Sequence, residues 1–178
     1  KLPNGLRVYS VLDPNTASVS IAVWYNVGSK DEPAGRTGFA HLFEHMMFQG
    51  SENVGKGEHF IIIENNGGGM NRSTNSDRTE YHETLPANQL DLGLFLEADR
   101  MKSLAITPSN LENQKETVKE ERRQRYDNQP YGLTFDTLFE VSYDNFAYKH
   151  STIGSMEDLG AATVKDVADF FKTYYAPN

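Results

Sequence analysis

The chain has 178 residues, a formal net charge of −8, 38% hydrophobic and 24% charged residues, and no cysteine. A chain of this length supports one domain with its own core, burying roughly 70% of its unfolded surface. The acidic balance argues against nucleic-acid and anionic-membrane binding, the missing cysteines exclude disulfides and thiolate metal ligands, and no run reaches the roughly eighteen apolar residues of a membrane span.

In chain order, "LPNGLRVYSVLD" opens on a turn at Asn4-Gly5 and predicts a short strand over Leu6 to Val11. "SVSIAVWYNVGS" alternates, placing Val19, Ile21, Val23, Tyr25 and Val27 on one strand face and Ser18, Ser20, Ala22, Trp24 and Asn26 on the other. A loop, "KDEPAGRTG", leads into a helix over residues 38 to 48 that Gly50 stops. Residues 58 to 65 read as a short helix or a strand, and "NNGGG" breaks them off. "MNRSTNS" and "TEYHETLP" predict two strands joined by a tight turn at Ser76-Asp77. Helices are expected over about 88 to 103, 109 to 126, 132 to 143 and 163 to 175, with "DNFAYKHSTIGS" as a loop before the last. That helix has Thr163 as N-cap, an apolar stripe of Val164, Val167, Ala168, Phe171 and Tyr174, and Pro177 as its end. Strands early and helices late imply an α+β fold, a mixed or antiparallel sheet with helices mainly on one face.

The chemistry concentrates in "HLFEHMMFQG". On a helix His41 and His45 stand one turn apart on one face, and Glu44 lies on the same side. Two imidazoles so placed can converge on Zn²⁺, with the carboxylate between them free to work on water; the order is H-x-x-E-H. Spacing alone leaves this balanced against two polar histidines satisfied by the core. A catalytic zinc wants a third protein ligand, and "LENQKETVKEERRQR" offers Glu112, Glu116, Glu120 and Glu121. Leu111 and Val118 mark that helix's apolar face. Glu121 falls about 60° from Val118, whereas Glu120 falls about 200° away and points to solvent. Glu112, Glu116 and Glu120 read as a charged face paired with Lys115, Lys119 and Arg123. His59, His82 and His150 fit no ligand spacing and read as surface or structural. "NNGGGMN" lacks the patterns of a phosphate loop.

H41-L-F-E44-H45, "GGGMNRSTNSDRTEYHETLP", V118-K-E-E121-R-R-Q, "TIGSMEDL" and "FFKTYYAPN", in this order with Glu121 76 positions after His45, resemble the pitrilysin or insulinase-like (M16) zinc metallopeptidases. The resemblance is strongest to short bacterial members akin to the mitochondrial processing peptidase. It implies the LuxS/processing-peptidase type of metallohydrolase fold. It also implies zinc on His41, His45 and Glu121, and peptide-bond hydrolysis by a zinc-activated water with Glu44 as general base. Substrate would add as a strand to the sheet edge that follows the glycines, touching Gly69, Asn71 and Ser73. Arg72 departs from the small residue of the family pattern. Gln114, on Glu121's face, would hydrogen-bond to the ligands from behind.

The chain opens on Lys1 and reads as the single N-terminal peptidase domain, residues 1–178, of a longer multi-domain product. The resemblance implies a C-terminal M16-like domain or partner subunit that closes the cavity over a peptide or unfolded polypeptide. The 178 residues alone would then bind zinc but hydrolyse poorly, and dimers are an option. A bacterial, periplasmic or otherwise extracytoplasmic setting is favoured. The competing reading is a non-catalytic structural or substrate-presenting relative, and a third is a metal domain with other hydrolytic chemistry.

Overall fold

The structure, a computed structural model, describes residues 1–176. Its three strands, β1 (Ser18–Tyr25), β2 (Gly69–Thr74) and β3 (Thr79–Pro86), form one antiparallel sheet in the order β1-β3-β2. Eight α-helices surround it among the described residues: α1 (Phe39–Met46), α2 (Glu58–Asn65), α3 (Leu90–Ser103), α4 (Pro108–Arg122), α5 (Thr134–Ser142), α6 (Phe146–Lys149), α7 (Met156–Ala161) and α8 (Val164–Tyr174). This is the α+β arrangement the residue pattern implied. None of the described helices is long and apolar enough to cross a membrane.

Alternation decides which face of the sheet is covered. Tyr25, Tyr81 and Leu85 are buried beneath the helices, while Ser20, Trp24, His82 and Thr84 stay exposed on the other face. Across that open face the hydroxyls of Ser20 and Thr84 meet at 2.8 Å. On the covered side Phe43 of α1 packs against Phe170, Phe171 and Tyr175, with ring centres 4.2 to 5.7 Å apart. The deepest residues of the last helix are thus Val167 and Phe170, with Phe171 only partly buried. Thr163 caps α8 as expected, its hydroxyl accepting from the Asp166 N–H at 3.2 Å. Pro177 lies outside the described residues.

Two expectations change, and one open choice closes. Leu6 to Val11 form no strand: no β-ladder reaches them, and Val8, Tyr9 and Val11 stand 59%, 86% and 96% exposed. β-branched residues favour a strand only where a partner completes the ladder. Residues 58 to 65 are helical; Gly57, at φ 74°, opens the helix and Ile63 alone of the three isoleucines is fully buried. The segment before α8 contains two short helices, α6 and α7, each started by a side-chain cap: Asn145 accepts from Ala147 N–H at 3.1 Å and Ser155 from Asp158 N–H at 3.0 Å.

Candidate metal centre

The helix α1 is aimed by two contacts from distant parts of the chain. Gly38, at φ 85°, precedes it, and a Cβ there would lie 2.7 Å from the Ile153 carbonyl, so α1 begins hard against the 153–155 turn. The buried carboxylate of Glu32 then accepts from the N–H groups of Gly38 and Ala40 at 2.9 and 2.7 Å, filling the open N-terminal donors with negative charge. Its Oε2 also meets His150 Nε2 at 3.0 Å. These anchors fix the phase of α1, so that Leu42, Phe43 and Met46 go into the core and His41 and His45 onto the side facing α4.

Glu121 lies in the last turn of α4, just before a π-helical turn over Arg123–Asp127; such turns recur at functional sites. His41 Nε2 lies 3.7 Å from Glu121 Oε1 and His45 Nε2 3.3 Å from Oε2. Ligand atoms held 2.0–2.2 Å from a tetrahedral zinc stand roughly 3.3–3.5 Å from each other. The His45 distance matches that spacing, the His41 distance is slightly longer, and imidazole and carboxylate are donors that zinc takes. Burial, with the neighbouring His45, lowers His41 to about 4. A hydrogen bond from His45 and the histidine and Arg125 charges hold Glu121 down at about 2. At neutral pH His41 is thus unprotonated and Glu121 ionised, the forms that ligate metal. The other glutamates divide as expected: Glu112, Glu116 and Glu120 pair with Lys115, Lys119 and Arg123 at 2.8, 2.9 and 3.0 Å. Lys115, however, is buried, and it also donates to the Ala162 carbonyl at 3.3 Å.

Glu44 is 6% exposed and sits with both histidines in one cluster. Its Oε2 accepts from the Thr74 hydroxyl at 2.5 Å, and its Oε1 lies 3.3 Å from Arg72 Nε. Arg72 and Thr74 are alternate residues of β2 and so share the face turned to α1. Asn71 and Ser73 fall on the opposite face. There Asn71 Oδ1 accepts from the Arg72 backbone N–H at 2.9 Å, and the Ser73 hydroxyl bonds Glu80 and Arg78 at 3.0 and 2.8 Å. β2 is an edge of the sheet, and Gly69 has open space where a side chain would be; it is Gly68 that lets the backbone close on Leu85 and Thr84. Gln114 is buried, but its amide donates to Asn113 Oδ1 at 2.8 Å, not to His41, His45 or Glu121. Reading the residues in order missed Arg72 and Thr74 as neighbours of Glu44, although strand alternation carried that signal. It also missed Arg125, whose Nη1 stands 2.7 Å from Glu121 Oε1.

The residues from 7 to 156 match the family Insulinase (Peptidase family M16). The chain belongs to this peptidase family. Among M16 relatives, the sequence is 37% identical to the zinc protease PqqE of Helicobacter pylori over 177 residues, 99% of this chain and 40% of that protein. It is 28% identical to the mitochondrial-processing peptidase subunit beta of Bos taurus, covering 98% of this chain and 35% of that one. Of solved structures, a protease from Helicobacter pylori superposes with a TM-score of 0.95 at 37% identity, over 99% of this chain and 42% of that one. The chain thus spans about two-fifths of the length of these M16 proteins.

A second buried cluster, His59, Glu83 and Glu97, also gathers ligand-type side chains. It has its own cation. Arg100 is 2% exposed, pairs with Glu97, and lies over the rings of Tyr81 and Phe48 at 4.4 and 5.0 Å. Of the three histidines outside the centre, His59 is therefore a core residue and only His82 is exposed. Burial raises the Glu83 carboxyl to about 7 and lowers His59 to about 4, and the two meet at 3.2 Å. Stability drawn from Glu83 is full below pH 4.5 and lost as pH rises through 7; that from His59 is full above pH 6.5 and lost as pH falls through 4. The slopes oppose each other between them. Glu83→Gln removes the Glu83 slope that opposes that of His59, so denaturant stability is expected to rise from pH 4.5 to 6.5 more steeply than in the wild type. Parallel curves for the two proteins would contradict this assignment.

Proposed function

We propose that this chain is the zinc-bearing catalytic part of a metalloendopeptidase, with His41, His45 and Glu121 as the ligands and Glu44 as general base. The observation that carries the reading is the convergence of both Nε2 atoms on the Glu121 carboxylate, with Glu44 buried beside them. A zinc ion held there would supply the Lewis acid that polarises a peptide carbonyl and makes water a nucleophile near neutral pH. Glu44, with one oxygen fixed by Thr74, takes the proton of the attacking water and delivers it to the leaving amine. Its burial keeps bulk water from competing for that proton.

The substrate is a peptide or unfolded polypeptide that lies along the open edge of β2, hydrogen-bonding through backbone groups near Gly69. Asn71 and Ser73 would then meet it from the face of the sheet away from the metal. A further M16-like domain or a partner subunit closes the cavity. All four chemical residues are present, which weighs against a purely structural or substrate-presenting role.

The test is cleavage of an internally quenched peptide by the zinc-loaded protein. Turnover is expected to vanish on chelation and to return when zinc is restored. A loaded protein that cuts no peptide under any partner condition would overturn the proposal.

A further inference from the structure

We propose that Arg72 is a carboxylate-binding residue of the substrate groove, selecting peptides that carry an acidic group next to the bond presented to Glu44. The inference rests on the peptidase reading above and names the substrate class. The group is an Asp or Glu side chain or the peptide's own C-terminal carboxylate; the chemistry is the same.

Arg72 projects from the free-edge strand β2 toward α1, on the face where the proposed metal ligands lie. Its guanidinium lies over Phe48 and Phe60, with ring centres 5.3 and 5.6 Å away. Stacking of this kind holds the plane of the group before any ligand arrives. The side chain is 31% exposed, so a ligand can reach it. Its N–H fork is unspent. Nε is buried and faces Glu44 Oε1 at 3.3 Å without hydrogen-bond geometry, and no side-chain N–H of Arg72 donates to an acceptor among the described residues. A planar pair of donors matches the two oxygens of a carboxylate.

The charges point the same way. Glu44 is faced by Arg72 and Glu121 by Arg125, so the carboxylates of the centre are already balanced by arginines. A divalent ion on the two histidines would add positive charge to a groove whose carboxylates are already balanced, within a chain whose total is −8. An anionic group on the substrate is what such a groove attracts.

The experiment measures binding, so that it stands apart from turnover. Three fluorescent reduced-amide peptides, which resist cleavage, are titrated into the zinc-loaded protein by anisotropy. The first carries Glu beside the modified bond and a free C-terminus, the second has Gln in place of that Glu, and the third keeps Glu with an amidated C-terminus. The wild type is expected to bind the first about tenfold more tightly than whichever analogue lacks the recognised carboxylate. A loss with Gln identifies the side chain, and a loss with the amide identifies the C-terminus. Arg72→Ala is expected to bind all three alike, and Arg72→Lys to keep part of the preference as a point charge without the fork. Equal affinity of the wild type for all three peptides, or full discrimination kept by a folded Arg72→Ala, would overturn the proposal. Uniform loss of catalytic rate in Arg72→Ala with no change in peptide preference would do so too, leaving Arg72 only a support for Glu44. If discrimination is found but the unmodified peptides are never cut, the peptidase reading fails and the binding assignment stands.

Discussion

Glu44→Gln is expected to keep its zinc and to lose peptide hydrolysis by about 10²- to 10⁴-fold in kcat, the range of a general acid–base group. The substitution is isosteric. The amide oxygen can still accept from Thr74, which now holds Glu44 Oε2 at 2.5 Å, so the side chain keeps its place. It loses the capacity to take a proton. Arg72 loses a counter-charge, but its side chain is 31% exposed and stays partly solvated, so the fold survives. Metal content by mass spectrometry and single-turnover cleavage separate the two effects. A variant with full zinc and activity within tenfold of the wild type would remove Glu44 from the chemistry.

Glu121→Gln is expected to weaken zinc binding by more than the roughly 10–100-fold that follows loss of a mere outer partner of a ligand. Glu120→Gln is expected to change it less than twofold. The neighbours differ by one residue in sequence and by 100° around the helix. Glu121 meets both imidazoles at 3.3 and 3.7 Å, whereas Glu120 is over half exposed and holds only Arg123 and Gln124 at 3.0 Å each. Competition with a chelator of known affinity reads the difference. Equal losses in the two variants would mean that α4 supplies no ligand.

Much of this candidate centre is legible in the amino-acid sequence, because its signals are local. The i, i+4 spacing of His41 and His45 and the phase of Glu121 against Val118 need only the geometry of one helix. The alternation of β1 from Val19 to Tyr25 needs only one strand. What escaped depends on where elements meet. Glu32 looks like a loop residue until its carboxylate is seen on the N–H groups of Gly38 and Ala40. Arg72 and Thr74 belong to Glu44 because β2 runs past α1, whereas Asn71 and Ser73 take the other side of the pleat, two faces that differ by a single residue. Leu6 to Val11 have a strand's composition and no strand beside them. His59 and Glu83 were not legible as a pair, since 24 positions of sequence separate them and only the packing of α2 over β3 brings them to 3.2 Å.

The central claim is that one metal ion sits between α1 and the end of α4. X-ray absorption at the zinc edge of the loaded protein tests it directly, with Glu121→Gln measured beside the wild type. The account predicts one zinc with two imidazole nitrogens at about 2.0–2.1 Å and carboxylate oxygen at about 2.0–2.2 Å, the imidazole signal weakening when Glu121 is replaced. A zinc surrounded by oxygen alone, or by a single imidazole unaffected by Glu121→Gln, would place the ion elsewhere and contradict the account.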